Sequence, residues 1–260
     1  MDRYLETNQS LWNQWTRIHE KSAFYDVDGF QAGRSSLNSL ELEELGDVAG
    51  KSLLHLQCHF GMDTLSWARL GADVVGVDFA DEAIALARSL SEETGVPARF
   101  IRSNIYDLPE VLGGTFDVVF TSYGVLNWLP DLPRWAQVVA HYLKSGGTFY
   151  MAEFHPFAYL LDDYGAHIRN PYFYRTNPDQ FQEQGSYADP EADFSHPAYF
   201  WHHSLSDILN ALIGAGLRIE FLHEFPYSVH NCFPFVEERE PGKWWPKVEV
   251  PLMFSLRATR

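Results

Sequence analysis

Between Lys51 and Phe154, apolar runs of strand length alternate with helical segments, and this alternation restricts the chain more than any other feature. The runs are "SLLHLQ", "ADVVGVDF", "ARFIRSN", "FDVVFTSY" and "GGTFYMAEF", with helical spacing near Thr64 to Leu70, Asp81 to Glu93 and Leu132 to Leu143. Strands that are apolar along their whole length need cover on both faces. Strand–helix units joined by right-handed crossovers lay such strands side by side in parallel. The pattern therefore predicts an α/β fold whose ligands gather at the carboxyl ends of the strands.

Outside this stretch the texture changes. Residues 1 to 50 carry Leu11, Trp12, Trp15 and Ile18 at helical spacing, then "YDVDGFQAGRSS" and an acidic stretch, which reads as a lead-in or flap. From about 156 to 203 the alternation stops, and 12 aromatic residues crowd 48 positions. This is an insertion, either a second small core or a cap lining a substrate pocket. Order returns with "SLSDILNALIGAGL", a helix capped near Ser204 or Ser206. After it come "RIEFLHEF" and "VEVPLMFSLRAT", two runs able to pair as a hairpin. The expected organisation is a helical lead-in over 1–50 and one domain over 51–260, interrupted at about 156–203.

Composition narrows the function. A chain of 260 residues can bury one sizeable core. A net charge of −16 with no Lys/Arg cluster repels a phosphate backbone, which argues against nucleic acid as a partner. No apolar run approaches the roughly 18 to 20 residues of a membrane span. The start "MDRYLETNQSLWNQW" has neither a basic end nor an apolar centre, so a cytoplasmic location is expected. Cys58 and Cys232 are too few for a disulfide framework and form no metal-spaced cluster, so no metal is expected.

The ends of the predicted strands carry the candidate site. A strand ending at Gln57, a tight turn and a helix from about Asp63 would aim backbone N–H groups above the sheet, which suits a cofactor's polar end. Asp78 ends the next strand, where a carboxylate can accept two hydrogen bonds from a ribose diol or cap the following helix. One strand further on, Asn104 and Ile105 offer an amide to an adenine edge and an apolar face to its ring; Asn104 also suits a turn. "TSYGVLNW", with Tyr123, Asn127 and Trp128, borders the reacting centre.

Taken in order, "LLHLQCHFGMDTL", "VVGVDFA", "RSNIYDLP", "FDVVFTSYGVLNWLPD" and "LKSGGTFYMAE" resemble the successive motifs of the class I S-adenosylmethionine-dependent methyltransferases. The resemblance is close over Lys51 to Phe154 and extends in pattern over Ser204 to Thr259. It implies a Rossmann-like, seven-stranded, mostly parallel sheet with helices on both faces and the last strand antiparallel. It also implies S-adenosylmethionine as cofactor and methyl transfer to a small molecule. The implied cofactor contacts are His55, Leu56, Gln57, Cys58, His59, Gly61, Asp63, Thr64, Asp78, Phe79, Asn104, Ile105, Tyr106 and Tyr123. Trp128, Asn127 and Tyr199 fall to the substrate, which the aromatic insertion suggests is apolar or aromatic.

The first motif departs from the family pattern. His55 stands where the family has an acid, Gln57 and His59 stand at its first two glycines, and only Gly61 remains. Replacing a glycine that permits positive φ must either move the turn or use one compatible with side chains. His55 or Gln57 would then take the acid's place by hydrogen bonding. Each also suits plain packing, as does Cys58. Methyl transfer needs alignment and exclusion of water more than strong acid–base chemistry. For an acceptor that must lose a proton, His155 is the expected base, with His202 and then His203 behind it. Two other classes remain open: an inactive cofactor-binding protein on the same fold, favoured by the divergent loop, and an NAD-dependent oxidoreductase, disfavoured because Gly-x-Gly-x-x-Gly is missing.

Overall fold

The computed structural model describes residues 3–162 and 164–260. Three helices open the chain: α1 (Arg3–His19), α2 (Val27–Gln31) and α3 (Ser39–Leu45). The alternating core follows as β1 (Ser52–Leu56), α4 (Met62–Arg69), β2 (Asp73–Asp78), α5 (Asp81–Thr94), β3 (Arg99–Arg102), α6 (Leu108–Val111), β4 (Phe116–Ser122), α7 (Leu132–Tyr142) and β5 (Leu143–Phe154). The remainder comprises β6 (Asp179–Gln184), β7 (Ser195–Phe200), α8 (Leu205–Gly214), β8 (Arg218–Phe225), β9 (Val236–Glu240), β10 (Lys243–Pro246) and β11 (Met253–Thr259). No described helix is long and apolar enough to cross a membrane.

Local chemistry sets the ends of these elements. The Asp131 carboxylate accepts from Arg134 N at 2.9 Å and caps α7, which turns Trp135, Val138, Val139 and Tyr142 into the core. At α8, Ser204 and Asp207 exchange side-chain-to-backbone hydrogen bonds as a capping box, which settles the predicted cap on Ser204.

Seven strands form the main sheet in the order β3-β2-β1-β4-β5-β11-β8. The pairs among β1 to β5 are parallel, and β11 lies antiparallel between β5 and β8. This is the expected Rossmann-like sheet. The two terminal runs pair as predicted, but residues 226–252 intervene and carry their own hairpin, β9–β10. Strand β11 also starts later than the sequence suggested, at Met253 in place of Val248. Pro251 lacks the N–H that a strand between two partners must donate.

The insertion and the lead-in, separate in sequence, meet above the sheet. Hairpin β6–β7 packs on α1, where Leu11, Trp15 and Ala198 are buried with Trp12, Trp128 and Phe200 around them. Asn8 acts as an extra strand residue: its Nδ2 donates to Tyr199 O at 2.8 Å and its Oδ1 accepts from Tyr199 N at 2.9 Å. Trp15 Nε1 donates to Gly185 O at 2.9 Å. The other side of α1 reaches the cofactor edge of the sheet, where Gln9 Nε2 donates to Phe79 O and Arg17 pairs with Glu82. Trp15→Ala removes the centre of this contact. Amide exchange across residues 195–200 should then accelerate while that of β1 and β4 stays slow; equal acceleration in both would mean that α1 and the hairpin are part of one cooperative core.

Candidate functional site

The loop after β1 keeps a left-handed backbone at alternate residues. Gln57 has φ 57°, His59 φ 50° and Gly61 φ 76°, so the three positions where the family has glycine retain positive φ although two carry side chains. Each such residue costs about 1–2 kcal/mol unless its surroundings hold it. Gln57 Nε2 donates to Val125 O at 3.2 Å. His59 N donates to Asp78 Oδ2 at 2.8 Å, and its Nε2 lies 2.9 Å from His19 Nδ1. Both imidazoles are neutral, because burial lowers His59 and brings His19 down to about 3. The turn has therefore not moved; tethered side chains hold it.

Only the third position demands glycine, since a Cβ on Gly61 would stand 2.5 Å from the Phe100 ring. Gly61→Ala is expected to cost about 2–4 kcal/mol through strain and overpacking. Gln57→Gly exchanges relief of strain for a lost tether and should stay within about 1 kcal/mol. Denaturant unfolding of the two variants checks this ranking.

Asp78 sits at the end of β2, 8% exposed. Its Oδ2 accepts from His59 N and its Oδ1 from Ala80 N at 2.9 Å, so one carboxylate braces the β1 loop and the entry to α5. Burial raises its pKa to about 6, against those backbone donors. Phe79, Asn104, Ile105 and Tyr106 line the same wall. Asn104 Oδ1 accepts from Tyr106 N at 3.0 Å and starts the turn after β3.

These walls enclose a cavity of about 1080 Å³ over the strand ends. His55, Gln57, Cys58, His59, Gly61 and Asp63 line it from the β1 side; Tyr123, Asn127 and Trp128 line it after β4, and His202 lines it beneath the insertion. Five residues expected at the site lie off this wall. Leu56 is fully buried in the sheet, and Thr64 faces His55, with its Oγ1 2.8 Å from His55 Nδ1. The Tyr199 ring packs on Tyr4 with centroids 4.7 Å apart. His155 is turned to the far edge of the sheet, its Nε2 2.9 Å from Glu224 Oε1 and its Nδ1 accepting from Phe157 N, so the residue expected as base does not face the cavity. His203 is also occupied, at Leu129 O. Burial pushes the Cys58 thiol up, as befits a packed side chain.

Two important side chains, Glu153 and His230, escaped sequence reasoning, and a third, Asp63, expected among the cofactor contacts, has hydrogen bonds that the sequence did not show. Glu153, 1% exposed near the end of β5, accepts backbone N–H groups of Gly124, Val125 at 2.8 Å and Leu126 at 3.2 Å. It pins the loop that bears Val125 O, the acceptor for Gln57. Its one sequence signal was an acid inside an apolar strand. Asp63, in the first turn of α4, accepts from Ser36 Oγ at 2.6 Å and Ser122 Oγ at 3.2 Å. Burial raises its pKa, opposed by those hydroxyls.

His230, in the loop after β8, lies edge-on to Phe154 at 5.0 Å and to Phe24 at 6.0 Å. Its ring makes no hydrogen bond to a described residue, and burial lowers its pKa to about 4, leaving it a neutral acceptor on the cavity wall. Tyr159, Phe233, Trp244 and Leu252 complete that lobe. Among the described residues Arg34 is the one Lys or Arg on the wall, and it is paired with Asp26 at 3.1 Å. Such a lobe suits an uncharged, ring-bearing molecule.

Residues 54–151 match the methyltransferase-domain family. A curated ubiquinone biosynthesis O-methyltransferase from Xanthomonas euvesicatoria is 32% identical over 167 residues, which cover 62% of this chain and 66% of that protein. A Xanthomonas oryzae protein of the same description is 30% identical over the same shares. The chain thus spans about 66% of the length of the curated relatives it matches. Among solved structures, an S-adenosylmethionine-dependent methyltransferase from Clostridium acetobutylicum superposes with a TM-score of 0.58 at 14% identity, covering 96% of this chain and 98% of its own. The glycopeptide N-methyltransferase MtfA complexed with sinefungin gives 0.58 at 14% identity over 87% of each chain. At these identities the structural matches establish the fold.

Proposed function

We propose, from the premise that residues 54–151 are a class I S-adenosylmethionine-dependent methyltransferase domain, that this chain binds S-adenosylmethionine and methylates a hydroxyl group of a small, uncharged aromatic molecule. The observation that carries the proposal is the left-handed backbone at Gln57, His59 and Gly61, with the Asp78 carboxylate hydrogen-bonded to it. A chain released from cofactor binding has no reason to keep two strained non-glycine residues in that geometry. The hydroxyl acceptor rests on the curated relatives, described as O-methyltransferases.

S-adenosylmethionine, when bound, supplies an electrophilic methyl group. Asp78 would accept the ribose hydroxyls, Asn104 and Ile105 would face the adenine, and the loop from Gln57 to Gly61 would hold the amino-acid end. The described parts of insertion 156–203 and lead-in 1–50 act together as a cover that excludes water, with Trp12 and Phe200 on its inner side against Trp128 of the loop after β4. In the lobe of Phe154, Tyr159 and Trp244, His230 accepts the proton that the acceptor hydroxyl gives up. The test combines calorimetry against S-adenosylhomocysteine with mass spectrometry of phenols and catechols incubated with a deuteriomethyl cofactor. Binding without label transfer would remove the acceptor assignment, and absence of binding would remove the whole reading.

A further inference from the structure

We infer that this chain has moved its recognition of the cofactor's α-ammonium group from the end of β1 to the first turn of α4, where Asp63 supplies the negative charge. The inference rests on the cofactor reading above. An acid at position 55 would offer the ammonium a negative charge at the end of β1, but the residue there is His55, which is 2% exposed and, its pKa brought down to about 3 by burial, carries no charge. Gln57, the other substitute expected from sequence, donates its Nε2 to Val125 O and keeps an Oε1 unpartnered among the described residues, a neutral acceptor that carries no charge. Neither offers an ionic partner.

Asp63 does. Its carboxylate lies on the cavity wall between the ends of β1 and β4, positioned by Ser36 Oγ and Ser122 Oγ, and it makes no ion pair with a described cation. Glu41, fully buried near by, receives Tyr123 OH at 2.8 Å and is raised to about 7 by burial and by Asp63, so this corner holds acidity without a compensating cation. A desolvated carboxylate of this kind gains from an arriving cation far more than an exposed one would. A second observation marks the ligand. His55 lines the same wall, its Nδ1 is engaged by Thr64, and its Nε2 has no partner among the described residues. With Nδ1–H donating to Thr64 Oγ1, Nε2 becomes an acceptor. A primary ammonium, which has three donors, satisfies Asp63 and this orphaned nitrogen together, and thereby accounts for a histidine where an acid is expected.

The experiment is calorimetry on the full chain with three probes: S-adenosylhomocysteine, its analogue lacking the α-amino group, and 5′-methylthioadenosine, which lacks the amino-acid moiety. Asp63→Asn should weaken S-adenosylhomocysteine about tenfold or more, the worth of one charge-assisted contact, and leave 5′-methylthioadenosine unchanged. It should also cut the wild-type preference for S-adenosylhomocysteine over the deamino analogue about tenfold, leaving only what the neutral His55 acceptor contributes. Adding His55→Asp to Asp63→Asn should restore that preference by returning the acid to the strand. The inference is overturned if Asp63→Asn retains the preference undiminished, or if it weakens all three probes alike, which would make Asp63 a support of the loop only. Failure of the wild type to bind S-adenosylhomocysteine would instead overturn the cofactor reading.

Discussion

Asp78→Ala should bind S-adenosylhomocysteine and 5′-methylthioadenosine about tenfold or more weakly than the wild type, because two charge-assisted hydrogen bonds from a ribose diol disappear, each worth roughly 1.5–3 kcal/mol. Both probes carry the ribose, so both suffer, whereas Asp63→Asn affects only the one with an amino group. The pKa of Asp78 adds a pH signature. Burial raises it to about 6, so in the free protein the carboxylate begins to take up a proton as pH falls toward that value. Diol donors favour the charged form, which makes the acid a poorer partner. Affinity should therefore fall between pH 7.5 and pH 5, and proton release should accompany binding near pH 6. Folding responds in the opposite direction: a carboxyl raised in the folded state contributes stability at low pH that is lost as pH rises through about 6, so Asp78 costs stability at neutral pH, and the bound diol offsets that cost. Asp78→Asn should flatten the pH dependence of affinity. An unchanged dissociation constant in a folded Asp78→Ala protein would falsify the ribose assignment.

The second large effect is expected at His230. With a phenolic acceptor, His230→Ala should lower kcat by about 10²-fold, the low end of the range for removal of a positioned general base, because an imidazole lowered to about 4 is a weak one. Cofactor affinity should stay within a few fold, since His230 lies in the lobe with Phe154 and Trp244 and away from Asp78. Added imidazole should restore part of the rate, a response that a packing defect would not give. With its pKa lowered to about 4, His230 remains neutral from pH 8 down to pH 5, so the wild-type kcat should show no inflection from this group in that window. His155→Ala provides the contrast. Its ring faces Glu224, and its loss should leave kcat within a few fold.

How much of this was legible in advance depended on the range of the interaction. The strand and helix runs were readable because burial imposes a local period, and β8 falls on "RIEFLHEF" residue for residue. Asp78 was readable because its place at the end of the second strand is itself a local property. The contacts that complete the site are not local. Asn8 and Tyr199 stand 191 positions apart, Gln57 and Val125 68 apart, and His230 meets Phe24 across most of the chain. No spacing rule connects such pairs. The histidine nominated as base was chosen for its place at a strand end, and its orientation was decided by β11 and β8 packing beside β5.

The first loop marks the division most clearly. By itself the sequence determined a strand, a turn and a helix here, with one remaining glycine at Gly61 and an acid after the next strand. It also showed that two glycines were missing. It did not determine whether the turn survived their loss, since intrinsic preference at Gln57 and His59 opposes positive φ. The tertiary structure decided that. His19 from α1, Val125 from the β4 loop pinned by Glu153, and the Asp78 carboxylate hold those two residues in a conformation that neither would adopt alone. Local sequence sets what each segment prefers, and only contacts between distant segments supply enough energy to hold residues against that preference.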